Sequence, residues 1–201
     1  PMCAAIWSTS SAQIRDYPMR SFLRFFSSHG LLQVFNRKQW RTVKGGSRSY
    51  VKALRDEMAG RVRFRRAAAH ITRTGGLVTV QGADGALDTF TDVVIASHAD
   101  EALGLLDDPS PTERNVLGAF RYTDNLAVLH DDRSLMPKRR ATWGSWNYIG
   151  ARGDNGDTPL CVSYWMNRLQ SLPTRRQLFV TLNPIRPPRH TIAAFEYTHP
   201  L

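Results

Sequence analysis

The stretch from Trp40 to Leu106 constrains this chain most, because turn residues and apolar periodicity occur in it together. Lys44-Gly45-Gly46-Ser47 sets a glycine pair ahead of an apolar series at Val51, Leu54 and Met58. Those positions fall at i, i+3 and i+7, one face of a helix. Gly60 follows as a residue able to take the positive φ of a helix C-terminus. The next segments break at Thr74-Gly75-Gly76 and Gly82-Ala83-Asp84-Gly85, the chemistry of hairpin turns. Val93-Val94-Ile95-Ala96 is apolar on both faces and runs into Ser97 and His98. It predicts a buried strand whose C-terminal end approaches a ligand.

The flanks carry further elements. The chain opens with an apolar segment around Ile6 and Trp7, then polar residues Ser8 to Ser11. Residues 19–26 predict a helix, with Phe22, Leu23, Phe25 and Phe26 packing into a core and Gly30 ending it. Residues 100–106 predict a short helix with Ala102, Leu103 and Leu106 inward, stopped by Asp107-Asp108-Pro109. Ser110-Pro111-Thr112-Glu113 reads as a capping box with proline at the first helical position, ahead of a helix expected to bury Val116, Leu117 and Phe120. Beyond Tyr122 the pattern turns to strands at 125–130, 141–149, 160–166, 178–182 and 192–197, with a glycine- and aspartate-rich loop at 150–158. Such a succession joined by turns predicts a mostly antiparallel sheet.

Bulk properties exclude several classes. With 42% hydrophobic and 22% charged residues over 201 positions, the composition is ordinary for a folded domain. No run approaches the ~20 apolar residues of a membrane helix, and no basic-then-apolar leader opens the chain. It starts at Pro1 rather than Met, and the expectation is a chain cut from something longer. Cys3 and Cys161 form neither a disulfide framework nor a zinc spacing, which fits a reducing cytoplasm. The net charge of +10 includes the runs Arg61-Val62-Arg63-Phe64-Arg65-Arg66 and Lys138-Arg139-Arg140. A balance of that sign permits non-specific nucleic-acid binding, but no helix-turn-helix, zinc finger or RNP-like strand accompanies it. Hydrolase and metal chemistry lack their motifs: there is no G-x-S-x-G and no H-E-x-x-H. His98 is a polar helix cap or a catalytic base. The acidic pairs Asp107-Asp108 and Asp131-Asp132 are expected to be solvated in turns.

The order of these elements resembles the middle of the flavin-containing amine oxidase superfamily, and within it a bacterial branch of predicted NAD/FAD-binding flavoproteins. The resemblance rests on Pro1-Met2-Cys3-Ala4-Ala5-Ile6-Trp7-Ser8, Phe22-Leu23-Arg24-Phe25-Phe26, His29-Gly30-Leu31-Leu32, Trp40-Arg41-Thr42-Val43, Gly45-Gly46-Ser47-Arg48 and Trp165-Met166-Asn167-Arg168-Leu169-Gln170. It implies an α+β or α/β fold: a mostly antiparallel substrate-domain sheet with helices, plus part of an FAD-binding Rossmann-like domain holding a β-meander and a returning strand. Residues 1–44 and 107–201 would form the two halves of the substrate domain, and 45–106 the middle of the FAD domain.

The superfamily's opening G-x-G-x-x-G, which brings backbone N–H groups to the FAD pyrophosphate, is not in this sequence. Its C-terminal FAD segment is not there either. Segments of the same protein before and after this stretch are therefore implied partners, with a small-molecule substrate. For FAD contact the resemblance points to Gly45, Gly46, Ser47, Ala68, Ala96 and Ser97. Ala68 lies in a strand expected over 64–71 and would make a main-chain contact. For substrate it points to Arg48, Ser49, Trp143 and Trp165. Each has a plain structural alternative: a turn before a helix for the glycines, strand packing for Ala68, an aromatic core for the tryptophans. The implied activity of the intact protein is hydride transfer from a substrate C–H bond to the flavin, with the isolated fragment inactive. The competing reading is a basic binding module without catalysis, taking nucleic acid or a protein, or a flavoprotein domain that has lost its cofactor. The Met166 to Gln170 word is distinctive, but the sequence gives it no physical role.

Overall fold

The computed structural model describes residues 13–36, 39–150 and 160–200. It is an α+β protein with two sheets, one of three strands and one of five. The described residues divide into two compact units: Lys52–Tyr122 form one, and the flanking stretches up to Val51 and from Thr123 to His199 form the other. The helix with the capping box lies in the same unit as the strands before it. The capped helix stays with the preceding strands because Arg73 ties them to Glu113 at 2.6 Å and to Asp108 at 3.2 Å.

Helix α1 (Met19–Ser28) buries only Phe26, while Leu23 is 48% exposed. Its other aromatics form a ladder: Phe22 stacks on Phe26 at 4.4 Å, Phe25 on His29 at 4.0 Å and His29 on Trp40 at 5.9 Å. Gly30, at φ 66, closes the helix. Its N–H bonds to Ser27 and that of Leu31 to Phe26, the paired bonds of a Schellman end. Helix α2 (Arg48–Glu57) follows the glycine pair as expected, and Gly60 beyond it has φ 80. Its apolar stripe is not buried: Val51, Leu54 and Met58 are 53%, 54% and 47% exposed.

In the unit Lys52–Tyr122, strands β1 (Ala68–Thr74), β2 (Leu77–Gly82) and β3 (Leu87–Phe90) form an antiparallel meander. Gly75 and Gly76, at φ 59 and 79, make the two-residue turn of the first hairpin, and Gly85 at φ 80 sits in the longer turn of the second. The strand expected over 64–71 starts only at Ala68, because Arg65 takes φ 58 and breaks the extended run. Helix α3 (Ala99–Leu105) and helix α4 (Pro111–Leu117) complete this unit. The capping box of α4 is formed, with Ser110 N–H donating to Glu113 at 2.7 Å and Glu113 N–H to Ser110 Oγ at 3.2 Å. Contrary to expectation, Val116 and Phe120 remain 54% and 51% exposed. Val93–Ala96 is also corrected: these residues form no strand, and Val94 is 91% exposed.

The other unit carries β4 (Tyr122–His130), β5 (Trp146–Gly150), β6 (Leu160–Trp165), β7 (Phe179–Leu182) and β8 (Thr191–Pro200), in the order β5-β6-β7-β4-β8. The strand expected over 141–149 is shorter. Residues Arg140–Thr142 form a 3₁₀ turn, and the strand begins at Trp146. A short helix, α5 (Met166–Leu169), follows β6 directly. The loop expected at 150–158 lies almost wholly outside the described residues.

The core of this sheet is apolar at Met136, Trp143 and Phe179, with Trp165 packed against it. A polar line runs through it. Asp132 N–H donates to His130 Nδ1 at 3.1 Å, which leaves Nε2–H to donate to Thr181 Oγ1 at 2.6 Å. Thr181 and Ser163 share a 2.7 Å bond, and Ser163 Oγ donates to the Leu135 carbonyl at 3.2 Å. His130, Thr181 and Ser163 have no exposed surface, so each polar group is satisfied inside.

Candidate functional site

Three of the sequence-derived site residues, Ala68, Ala96 and Ser97, line one cavity beside a face of the meander. In an antiparallel pair, directly opposed residues point to the same face. Ile71 opposes Val80, Val80 opposes Asp88, and Val78 opposes Phe90. The register slips between Ala68 and His70, so Ala69 is an extra residue in β1. A bulge of this kind leaves main-chain groups outside the ladder.

Two clefts open on that face. The first, of about 590 Å³, lies between the meander and the extended segment 93–97. Its walls are Ala67, Ala68, Ile71 and Val80 on one side and Val93, Ile95, Ala96 and Leu105 on the other. Ile71 is 3% exposed and forms its floor. The segment 93–97 alternates between half-buried Val93 and Ile95 and exposed Val94 and Ala96, as an extended chain should. It has no ladder partner among the described residues. Ser97 and Glu101 stand at the polar end of the cleft.

The second cleft, of about 320 Å³, is lined by Arg61, Arg63, Arg66, Asp88 and Phe90, and shares Ala68 and Val80 with the first. Asp84 pairs with Arg66 at 2.9 Å, and Asp88 pairs with Arg63. The Asp88 hydrogen bond raises the Arg63 pKa above its ordinary value, so that guanidinium is always charged.

His98 sits beside the first cleft as a cap. Its N–H donates to Glu101 at 3.1 Å, its carbonyl accepts from Ala102 at 2.7 Å, and its ring stacks on Tyr122 at 4.9 Å. The Tyr122 hydroxyl in turn accepts from Ala99 N–H at 2.7 Å.

The other sequence-derived residues belong to the other compact unit. Gly45 and Gly46, at φ 85 and 77, form the turn before α2. A Cβ on Gly45 would stand 2.8 Å from Ser49 Oγ, which itself donates to the Lys44 carbonyl at 3.3 Å. The Ser47 carbonyl accepts from Val51 N–H at 3.0 Å, and Arg48 is exposed at the start of the helix. Trp143 is 7% exposed, meets Trp165 edge-on at 5.4 Å and donates its indole N–H to the Pro137 carbonyl at 2.8 Å. Those surroundings are the aromatic core that the sequence leaves open as the alternative.

The Met166 to Gln170 word now has a role. Asn167 donates to the carbonyls of Thr174 and Arg176 at 3.2 and 2.8 Å and accepts from Leu178 N–H at 2.8 Å. Arg168 donates to the Trp143 carbonyl at 3.0 Å. The word clasps the loop before β7 onto the aromatic core. Asp132 is corrected, because the sequence places it in a solvated turn and the structure buries it. It is 7% exposed and accepts from Ser134 N–H at 2.9 Å, Arg189 N–H at 3.0 Å and Arg186 at 3.3 Å. Of the other acids expected to be solvated, Asp131 pairs with Arg176 at 2.8 Å and Asp107 with His70 at 2.8 Å.

No family model and no curated protein matches this chain. Among solved structures, it is similar to a CLA-producing fatty acid isomerase from P. acnes, with a TM-score of 0.54 and 14% identity over 77% of this chain and 40% of that one. A likeness at that identity shows a shared fold, here with a solved enzyme, and this chain spans about two fifths of the isomerase's length. No helix of the described residues is long and apolar enough to cross a membrane.

Proposed function

We propose that this chain is the central part of an FAD-dependent oxidoreductase of the amine-oxidase type, acting on a small-molecule substrate. One observation carries the reading. The meander is followed by an apolar extended segment, 93–97, which has no ladder partner among the described residues and borders an open cleft with Ala68 at its lip. An apolar extended segment without a ladder offers its backbone edge and side chains to a further element.

The residues fit part of the cofactor. Ala67, Ala68 and Ala96 are small enough for a flat heterocycle to approach the backbone, and the bulge at Ala69 leaves main-chain groups available to it. Val93, Ile95 and Leu105 would keep water from it. FAD, when bound, supplies the electron sink for removing hydride from a C–H bond. The pyrophosphate would need donors from outside this stretch, since the sequence has no glycine-rich phosphate loop. The isomerase with the similar fold acts on fatty acids, and a lipophilic substrate therefore belongs in the screen beside amines.

The test is flavin content. The protein in its full genomic length is expected to be yellow, and its flavin to be bleached by one member of a panel of amines and unsaturated acids. The 201 residues alone are expected to be nearly colourless. Val94→Glu should leave the isolated chain as stable as before, because Val94 touches mostly solvent, yet lower the flavin content of the longer protein. A folded, full-length protein without flavin would refute the reading.

A further inference from the structure

We propose that helix α1, with Leu32, Phe35, Trp40 and Val43 after it, is a docking face for the surface of an anionic lipid bilayer. Its apolar side chains would enter the headgroup layer and its cations would meet the lipid phosphates. The inference does not rest on the flavin reading.

Charge is the first observation. Between Tyr17 and Lys44 the sequence holds six cations, Arg20, Arg24, Arg37, Lys38, Arg41 and Lys44, and no aspartate or glutamate. Arg20, Arg24, Arg41 and Lys44 are exposed, and none of these four pairs with a carboxylate of the described residues. By contrast, Arg63 pairs with Asp88, Arg66 with Asp84 and Arg176 with Asp131. A cationic stretch without carboxylates of its own complements an anionic surface.

The same stretch exposes apolar side chains. On α1, Phe22, Phe25 and Phe26 belong to the aromatic contacts of the helix, while Met19 and Leu23, one turn apart, are exposed. Arg20 and Arg24 are one turn apart as well, so an apolar row and a cationic row lie side by side on the outer surface of the helix. Beyond Gly30, the side chains of Leu32, Val34 and Phe35 are exposed. Trp40 stacks on His29 and still keeps most of its surface in solvent, as does Arg41 beside it. All of these residues belong to one compact unit. Elements that lie in a bilayer interface combine the same parts: Leu and Phe below the headgroups, Trp level with them, and Arg and Lys stems reaching back to the phosphates. With 10 residues, α1 lies on such a surface and cannot span it.

Other occupants fit one half of the pattern. A nucleic acid would engage the cations and Trp40 but leave Met19, Leu23 and Val34 in water. A protein covering those aliphatics would desolvate the cations around them or have to bring carboxylates to them. A lipid surface satisfies both sets at once.

The experiment is co-sedimentation of the 201-residue chain with vesicles of phosphatidylcholine and with vesicles in which about a third of the lipid is phosphatidylserine. Binding to the anionic vesicles is expected to be at least about tenfold stronger and to weaken with added salt. Phe35→Ser, at a side chain 84% exposed, should weaken it about tenfold with an unchanged unfolding midpoint. Arg24→Gln should weaken it about fivefold on anionic vesicles and leave neutral ones unaffected. Absence of binding to anionic vesicles overturns the proposal. Equal binding to both kinds of vesicle removes the part played by the cations and overturns it too. Binding that Phe35→Ser leaves unchanged, or that a single-stranded oligonucleotide abolishes by competition, reduces the face to a basic patch for any polyanion and overturns it. A dimer in solution that Phe35→Ser dissociates gives the face to a second copy, and a longer protein that no longer sediments gives it to the protein's own segments; either result overturns it. Vesicle binding by a protein that never holds flavin would leave this surface standing and remove the flavin reading alone.

Discussion

His130 is held in one tautomer by its neighbours. The Asp132 N–H occupies Nδ1, so Nε2 must carry the proton that Thr181 accepts. Thr181→Val keeps the shape and removes the acceptor, leaving a buried N–H unpaired. A loss of about 1–3 kcal/mol is expected, read as a lower urea midpoint. Burial pushes the His130 pKa below its ordinary 6.5, against the opposing pull of Asp132 and Asp131 and with the help of Arg186. The unfolded chain therefore binds the proton more readily. The neutral imidazole's contribution is complete above 6.5 and is lost as pH falls from there towards the lower folded value. The thermal midpoint should fall between about pH 7.5 and about pH 5.5, and His130→Gln should flatten that slope. Asp132 acts lower. Burial would raise its pKa, but the bonds from Ser134, Arg189 and Arg186 outweigh burial and hold it below 3.8, so its contribution disappears only in stronger acid. None of this is legible in the sequence. Two adjacent aspartates look alike there, and which one turns inward depends on Arg186 and Arg189, more than fifty positions away.

At the scale of elements, the features that sequence reading places correctly are those made within a few residues. The Ser110 to Glu113 box needs only its own four residues, and it forms. Ser110→Ala should cost about 1 kcal/mol of stability, measurable by denaturant titration. The same box carries an electrostatic signature. Arg73, then Ser110, hold the Glu113 carboxyl down to about 2, so the pairing should persist through mild acid and weaken only near that pH. The hairpin glycines are legible for the same local reason. Val93 to Ala96 misleads because apolar β-branched residues specify an extended backbone, whereas a strand also requires a neighbour. The tryptophans illustrate the converse. Composition puts Trp143 in a strand, but the Arg140–Thr142 turn directs it into the core.

For the whole molecule, apolar surface is distributed unevenly. The five-stranded sheet buries Trp143, Phe179 and Met136, while Phe35, Trp40 and Val94 are 84%, 70% and 91% exposed and Phe195 of its last strand is 61% exposed. The isolated chain is therefore expected to bind the dye ANS in its native state. If the chain is the central part proposed above, the longer protein should lose most of that fluorescence, leaving the share owed to Phe35 and Trp40. The site is partly legible at this scale. Ala68, Ala96 and Ser97, far apart in sequence, do meet at one cleft, because a returning chain beside a meander has few places to go. The glycine pair and the tryptophans belong to the other compact unit.

The unpaired stretch next to Asp92 has one more consequence. A short β-branched run with a free backbone edge can template copies of itself into fibrils. The single charge at its start is the natural gatekeeper against that stacking. Neutralising Asp92, which lines neither described cleft, is therefore expected to lower the solubility of this chain, read by light scattering.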